Sequence, residues 1–257
     1  VTGRWFEGLS GEAFAIGLIN VADRPYKVML ESVMETNYNI YDIITGEREP
    51  FVFDKYALRE NDTIKDTDIP KVKDGVTIVI DGYKDDEWPD GDILHVDDRN
   101  RSLGVKKDGV SAEFSLAWDD TYLYVFADVN DPTPMQNNKT GFDIYDGDAI
   151  ELFIGPSKIN DPGSLKVDDT QIIINAETGE SYWYNHNVTT QPEIETEIRM
   201  KENQSGYTLE AAIKLSDLAI MDASHGRVIR FDIGFDNGEG GKRIAQYLWS
   251  GVDGNAS

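Results

Sequence analysis

The sequence predicts a mainly β protein, an antiparallel β-sandwich preceded by a strand and a long helix. From Val76 onward, apolar and polar residues alternate with period two in short segments, as expected for half-buried strands. Turn-forming clusters such as 203–206 and 237–241 separate these segments, and no helical pattern of 10–15 residues lies between them. The length of 257 residues allows one or two domains.

Nine segments of the second part of the chain are predicted as strands of the sandwich. They are 76–80, 112–118, 122–129, 149–154, 171–175, 194–200, 207–215, 228–235 and 243–249.

The first 50 residues follow a different pattern. Residues 13–20 form an apolar run typical of a buried strand. Asp23 is a suitable helix N-cap, Pro25 fits a first helical turn, and an apolar stripe at helical spacing runs from Tyr26 to Ile44. We therefore expect a helix of about 20 residues that ends before Gly46.

Residues 54–75 are charged, contain one proline and show little periodicity, which is typical of a linker. The predicted organisation is thus a strand–loop–helix part over 1–53, a linker over 54–75 and the sandwich over 76–257.

Composition excludes several classes of function. The chain has 24 Lys+Arg against 48 Asp+Glu, a net charge of −24, which repels nucleic acid and anionic membrane surfaces. No apolar run reaches 18 residues, so no membrane span is expected. There is no cysteine, and the three histidines are far apart, so neither a disulfide nor a histidine-based metal site or triad is indicated.

An ordered set of motifs in the second part carries a family resemblance. In chain order these are IDGYKDDEW (80–88), Trp118-Asp119, LYV (123–125), DVNDP (128–132), DGDAIELF (146–153), GYTLEAAI (206–213), FDI (231–233) and Trp249. Their order and spacing resemble the family 9 carbohydrate-binding modules of extracellular xylanases and related enzymes. The resemblance implies a β-sandwich that binds a polysaccharide or oligosaccharide.

A second resemblance covers about 45 residues at the start. The segment GRWFEGLSGEAFAIGLINVADRPYKVML (3–30), with the helix expected after it, is similar to the last strand, loop and helix of a (β/α)8 glycoside hydrolase of the agarase type. Residues 1–53 would then be the remnant of a catalytic barrel. Because the chain also begins without Met, we expect it to be a processed form or a piece of a longer, secreted bacterial enzyme.

The resemblance assigns candidate sugar-binding residues. In the family, two aromatic rings sandwich a terminal sugar, and polar side chains hold its hydroxyls. Tyr145 stands where one family tryptophan is found, and Glu151 and Asn175 match two polar ligands. A family arginine is replaced by Ile173. The second tryptophan and the family's last strand would fall at or beyond Ser257, so the sandwich site is expected to be incomplete.

Other aromatic residues leave two interpretations open. Trp183, with Tyr182 and Tyr184 beside it, either supplies another binding wall or packs in an edge strand. Trp249 either contacts sugar or belongs to the core. Trp88 and Trp118 match family core positions.

The resemblance also implies structural calcium, which takes six to eight oxygen ligands. The candidate pairs are Asp81 with Asp85, Asp128 with Asp131, and Asp146 with Asp148, although no DxDxDG loop singles one out. Each pair could equally be a solvated surface.

The leading hypothesis is a non-catalytic polysaccharide-binding module that targets a glycoside hydrolase to a plant or algal polysaccharide. The alternative is a structural spacer packed on the catalytic barrel, without sugar binding. Catalysis by this stretch is not expected, because a glycosidase needs two carboxylates about 5–9.5 Å apart, and one partial strand, one loop and one helix cannot make a barrel active site.

Overall fold

A computed structural model describes the fold of most of the second part of the chain and four strands of the first. The described residues are 2–7, 14–19, 38–41, 48–51, 67–133, 135–155, 169–184, 191–218, 224 and 226–251. The chain divides into two compact units, 1–63 and 64–257. No helix among these residues is long and apolar enough to cross a membrane.

The first unit contains two antiparallel strand pairs. Strand β1 (Thr2–Glu7) pairs with β2 (Phe14–Ile19), and β3 (Tyr38–Tyr41) pairs with β4 (Arg48–Phe51). The strand predicted over 13–20 is therefore confirmed as β2.

The helix predicted up to Ile44 is wrong where the structure describes it. Residues 38–41 form β3, with Tyr38 opposite Phe51 and Ile40 opposite Glu49. The sequence Tyr-Asn-Ile-Tyr alternates and is rich in aromatic and β-branched residues, which favour strands once a partner is present. The remainder of the predicted helix, 26–37 and 42–44, lies outside the described residues.

The second unit is built from two antiparallel sheets, as the sequence predicts. One has six strands in the order β11-β10-β9-β14-β15-β6, and the other has five in the order β12-β13-β8-β7-β5. The strands are β5 (Leu94–Val96), β6 (Arg101–Gly104), β7 (Ser111–Trp118), β8 (Tyr122–Asn130), β9 (Ala149–Gly155), β10 (Thr170–Asn175), β11 (Ser181–Tyr184), β12 (Glu195–Met200), β13 (Gly206–Lys214), β14 (Arg230–Glu239) and β15 (Lys242–Leu248). Short 3-10 helices occupy Asp98–Asn100, Gly141–Asp146 and Glu202–Gln204.

The main core lies between the two sheets and follows the period of two. Strand β9 contributes Ile150, Leu152 and Ile154, and the facing sheet contributes alternate residues such as Val125 and Ala127. The intervening residues of each strand point to the outer face of its sheet. This alternation is what places polar side chains of the six-stranded sheet together on one outer face.

The strand predicted at 76–80 is wrong. These residues pair with no strand, although Ile78 is buried and Val76 and Ile80 pack beside it on a second apolar cluster. That cluster covers the outer face of the five-stranded sheet and includes Trp88, which confirms its predicted core role. The alternation at 76–80 thus reflects burial of one side of an extended segment.

The boundary predicted between 75 and 76 moves towards the N-terminus. Val72 is buried, its N–H donates to the Trp118 carbonyl at 2.8 Å, and the Trp118 N–H donates to the Pro70 carbonyl at 3.1 Å. Residues 70–72 therefore belong to the sandwich unit, which begins at Ile64.

Candidate carbohydrate-binding face

A buried polar network crosses the outer face of the six-stranded sheet. Glu151 lies on β9 between Ile150 and Leu152, so its side chain points away from the core. One carboxylate oxygen, Oε2, accepts hydrogen bonds from Gln171 Nε2 at 3.2 Å and from Gln246 Nε2 at 3.1 Å. Although it lies on an outer face, Glu151 is fully buried.

Arg243 joins this network from β15. Its Nη1 atom lies 3.0 Å from Asp236 Oδ1 and 3.7 Å from Glu151 Oε1. Burial, followed by the charge of Glu151, raises the pKa of Asp236 well above its ordinary value. Burial lowers the pKa of Arg243, but the Asp236 and Glu151 carboxylates outweigh that effect and raise it overall. The carboxyl groups of Asp236 and Glu151 thus both face one guanidinium, that of Arg243.

Tyr145 lies over the same guanidinium. It belongs to the 3-10 helix Gly141–Asp146, and its ring centroid is 4.8 Å from Arg243 Cζ, within the range of a cation–π contact. The backbone N–H of Arg243 donates to Asp146 Oδ1 at 3.2 Å, which ties the 3-10 helix to β15. The structure therefore brings Tyr145 and Glu151 together through Arg243.

Three further aromatic rings extend the surface beside Tyr145. Phe142 has its ring centroid 5.3 Å from that of Tyr145 and 5.1 Å from that of Tyr184, and both Phe142 and Tyr184 are exposed. Tyr182 packs beside them on a small apolar cluster. A row of partly exposed rings next to charged donors and acceptors suits a sugar, whose C–H faces stack on rings while its hydroxyls form hydrogen bonds.

Asn175 has a supporting position. Its Nδ2 donates to the carbonyls of Asn137 and Lys139, and its Oδ1 accepts from the N–H groups of Glu177 and Thr178. These four bonds use the full capacity of a side-chain amide. Asn175 thus holds the loop that precedes the 3-10 helix of Tyr145, which argues against the predicted direct sugar contact.

Ile173, at the position of the family arginine, is buried in a small apolar cluster. It packs with Ile144 and Ala149 and stands directly opposite Glu151 in the β9–β10 ladder. The position therefore supplies no donor to the polar network.

The structure packs two candidate binding residues against the main core, Trp183 fully and Trp249 in part. Trp183 is 1% exposed and packs between the sheets, because alternation along β11 sends its neighbours Tyr182 and Tyr184 to the outer face. Trp249 also packs against the main core, 6.5 Å between ring centroids from Phe231. Burial in the core argues against the sugar contact considered for Trp183, whereas Trp249 is only partly buried and its sugar contact stays a prediction.

The aspartates predicted as calcium ligands are distributed differently from the predicted pairs. Asp128 forms an ion pair with Lys201, and Asp146 lies 3.7 Å from Lys139 Nζ. Asp81 Oδ1 accepts the Tyr83 N–H, and burial followed by the charge of Asp81 raises the pKa of the nearby Asp85.

Asp131 and Asp148 instead share a buried polar cluster at one end of the sandwich. Asp131 accepts from Asn237 Nδ2 at 2.7 Å, and Asp148 accepts the N–H groups of Gln136 and Gly238, each at 2.7 Å. Burial raises the pKa of Asp148 to about 7, and the charges of Asp131 and Glu177 contribute. Asn237 Oδ1 is buried and finds no hydrogen-bond partner among the described residues.

Several residues of the binding face escaped the sequence analysis. They are Phe142, Gln171, Asp236, Arg243 and Gln246. Gln171 carried a usable signal, because it lies two residues before Ile173 and so shares its face. Asp236, Arg243 and Gln246 come from distant parts of the chain, and only the strand order places them near Glu151.

An antiparallel sandwich with aromatic and polar side chains on one outer face defines the class of β-sandwich carbohydrate-binding domains. Residues 80–256 match the family described as "Carbohydrate family 9 binding domain-like", and the chain belongs to that family.

Similar proteins include bacterial enzymes of much greater length. The chain is 32% identical over 182 residues to "Exoglucanase XynX" of Acetivibrio thermocellus and to "Endo-1,4-beta-xylanase A" of Thermoanaerobacterium saccharolyticum. Each match covers 70% of this chain but only 15% and 14% of those proteins, so the chain spans about one seventh of their length.

Solved structures agree in fold. A family 9 carbohydrate-binding module from Caldicellulosiruptor kristjanssonii in complex with cellotriose is 23% identical, with a TM-score of 0.55, and covers 72% of this chain and 90% of that one. The glucose complex is 24% identical, with a TM-score of 0.51, and covers 70% of this chain and 84% of that one.

Proposed function

We propose that the outer face of the six-stranded sheet binds a neutral polysaccharide or oligosaccharide, with a sugar stacked on Tyr145. The observation that carries the proposal is the Tyr145 ring beside the Arg243 guanidinium, which two carboxylates hold in place. The exposed rings of Phe142 and Tyr184 continue the stacking surface. Net charge and the nearby Asp146, Glu151 and Asp236 disfavour an anionic glycan.

The proposal is tested by titrating the chain calorimetrically with cellotriose, xylan, mannan and agar oligosaccharides, with calcium present. Tyr145→Ala is expected to lower the affinity for the bound glycan at least tenfold, because the stacking face is lost. The matched control is Tyr83→Ala, since Tyr83 is also an exposed tyrosine with an arginine, Arg199, over its ring at 4.2 Å. Equal losses in both variants would contradict the assigned face.

A structural spacer is the second candidate function. It is favoured by the replacement of the family arginine by Ile173, packed in an apolar cluster, and by the full burial of Glu151. A folded chain that binds none of these glycans, but whose removal destabilises its parent enzyme, would support the spacer.

We further infer that the domain works outside the cell, attached to a catalytic glycoside hydrolase. Support comes from the much longer xylan- and glucan-named relatives and from the similarity of residues 3–30 to the end of an agarase-type barrel. The role would be to raise the local substrate concentration by tethering. Deleting the domain from the full-length enzyme should then reduce activity on insoluble polysaccharide while leaving activity on soluble oligosaccharide unchanged.

We also propose a structural calcium ion at Asp131 and Asp148. Both residues and Asn237 offer buried oxygen atoms, the donor type that calcium prefers, and Asn237 Oδ1 lacks a partner among the described residues. The described ranges contain no group of three or more acidic or histidine side chains arranged for a metal, so amide and carbonyl oxygens would complete the set.

Chelation tests the calcium proposal. A ligand at 100 times its Kd stabilises by about 2.7 kcal/mol, so excess EDTA should lower Tm by about 5–10 °C. Asp148→Asn should abolish this EDTA effect, whereas Asp85→Asn, at an exposed site, should retain it. An unchanged melting curve in EDTA would contradict the ion.

A further inference from the structure

Asn137 is fully buried in the loop that leads to the 3-10 helix of Tyr145. Its side-chain Nδ2 donates to the Ile144 carbonyl and to the Asp148 carbonyl, each at 2.8 Å. These two carbonyls flank residues 145–147, so one amide nitrogen ties both ends of the short stretch that carries Tyr145. Because no part of Asn137 is exposed, it cannot itself contact a ligand.

The turn between β10 and β11 holds Asn137 through its backbone. The N–H of Asn137 donates to Glu177 Oε2 at 2.6 Å, and its carbonyl accepts from Asn175 Nδ2 at 2.9 Å. The N–H of Gly141, at the start of the 3-10 helix, donates to Glu180 Oε1 at 2.9 Å. The backbone and the side chain of Asn137 thus join this turn to the 3-10 helix.

Gly147 shows how tightly Asn137 is packed. A Cβ atom at Gly147 would lie 2.5 Å from Asn137 Cγ and 2.7 Å from its Oδ1. The backbone of Gly147 is extended, a conformation that does not require glycine, so the contact with Asn137 is what favours glycine here. An alanine at this position would therefore displace Asn137 while leaving all of its hydrogen-bonding groups in place.

We propose that Asn137 is a positioning residue of the binding face, which sets the place of the Tyr145 ring without contacting the sugar. The inference rests on the proposed function only for its effect on affinity, since the placement of the ring can be measured without a ligand. Tyr145 is partly exposed, and a side chain that is ordered before binding loses less entropy when a sugar stacks on it. Asn137 therefore raises affinity by pre-organising the ring.

NMR of the full chain with ring-labelled tyrosine measures the placement, with the Tyr145 signal assigned from Tyr145→Phe. In Asn137→Ala the two carbonyls lose their shared donor, so the Tyr145 ring should become more mobile and its signal should move towards that of a free tyrosine. Gly147→Ala should have the same effect, because it displaces Asn137. An unchanged Tyr145 signal in folded Asn137→Ala, or in Gly147→Ala where the first variant does not fold, would overturn the role of Asn137.

Calorimetry with cellotriose below the melting transition measures the consequence for binding. Asn137→Ala and Gly147→Ala should both bind about threefold to tenfold more weakly than the unmodified chain, because the ligand must then order one more side chain. The matched control is Glu210→Gln on the other sheet, which alters a buried carboxylate that accepts three N–H groups. It should lower Tm without changing the affinity or the Tyr145 signal.

The outcomes separate positioning from stability and from binding itself. Equal losses of affinity in Glu210→Gln and Asn137→Ala would indicate a general effect of stability and would overturn the positioning role. Full affinity in Asn137→Ala despite a mobile ring would overturn pre-organisation by Asn137 while leaving the proposed function intact. An unmodified chain that bound no neutral glycan would instead overturn the proposed function, and the Tyr145 signal would still decide whether Asn137 positions the ring.

Discussion

Asp148 illustrates how one buried carboxylate influences the stability of this domain. It accepts two backbone N–H groups, which favour its charged form, yet burial raises its pKa to about 7. Because the ordinary value is 3.8, the folded protein binds the Asp148 proton more tightly than the unfolded chain does. Ionisation of Asp148 therefore costs stability that grows as pH rises between these two values and is complete above the higher one, unless a cation lies beside the carboxylate.

Without calcium, the free energy of unfolding should therefore fall as pH rises from about 4 to about 7 and change little above pH 7. The Asp148 contribution is at most about 4 kcal/mol, at about 1.4 kcal/mol per pKa unit. Urea unfolding in EDTA at several pH values measures it, with Asp148→Asn as the comparison. An identical pH slope in both proteins would contradict the prediction, and bound calcium should flatten the slope of the unmodified chain.

At the residue scale, the alternation of apolar and polar residues predicts which way a side chain points better than it predicts which residues that side chain contacts. Glu151 lies between the core residues Ile150 and Leu152, so alternation along β9 is enough to direct its side chain away from the core. The same alternation on β11 sends Trp183 inward, but its direction depends on a register that the sequence does not fix. The contact between Glu151 and Arg243 joins residues on β9 and β15 and depends on strand order, which no local pattern encodes.

Among the elements, the extended segment before β5 shows how a carboxylate can replace strand pairing. Glu210 on β13 accepts the N–H groups of Asp81 and Gly82 through Oε2, each at 2.9 Å, and the Trp88 indole N–H through Oε1 at 3.0 Å. These bonds fasten the segment over the outer face of the five-stranded sheet, where Trp88 and Ile78 complete a second apolar cluster.

Glu210→Gln should lower the free energy of unfolding by about 1–3 kcal/mol. The substitution replaces one carboxylate oxygen with an NH2 group, so at least one of the three N–H groups that Glu210 accepts would face another donor. The destabilisation should first affect the segment that Glu210 holds. Hydrogen exchange at Asp81 and Gly82 is expected to accelerate, while the core amides of β8 remain protected. Glu197→Gln, an exposed glutamate directly opposite Glu210 in the ladder, is the matched control. Unchanged exchange at Gly82 would argue against this role of Glu210.

The same segment explains which elements the sequence could predict. Eight of the predicted strands lie in the two sheets, because each combines alternation with a neighbouring strand that buries one face. Residues 76–80 alternate equally well, but they lie on the outer surface of a sheet and do not pair with a strand at its edge. Alternation indicates that one side of a segment is buried, but it does not indicate whether the segment pairs with a strand. Likewise, Ile40 and Tyr41 of β3 fitted the predicted helical stripe, because so short a strand has too few residues to separate the two periods.

For the whole molecule, both sheets, the main core and the proposed binding face belong to the unit 64–257. The contacts of Ile69–Val72 lie within that unit. Trp118 Nε1 donates to the Ile69 carbonyl at 3.0 Å, and Val72 is 3% exposed. The charged composition of 54–75 concealed this, because only two apolar residues, Ile69 and Val72, and one proline, Pro70, form these contacts.

A fragment of residues 64–257 should therefore fold with a Tm within about 3 °C of the whole chain, which corresponds to about 1 kcal/mol at this size, and bind the same glycan. A fragment of residues 76–257 should be less stable, because it loses the buried side chain of Val72 and the hydrogen bonds to Trp118. The loss of Val72 alone corresponds to about 1.5–3 kcal/mol, or a Tm lower by about 3–12 °C. Differential scanning calorimetry of both fragments distinguishes them. Equal melting temperatures would show that 64–75 is a linker after all, whereas failure of 64–257 to fold would show that the sandwich depends on the first unit.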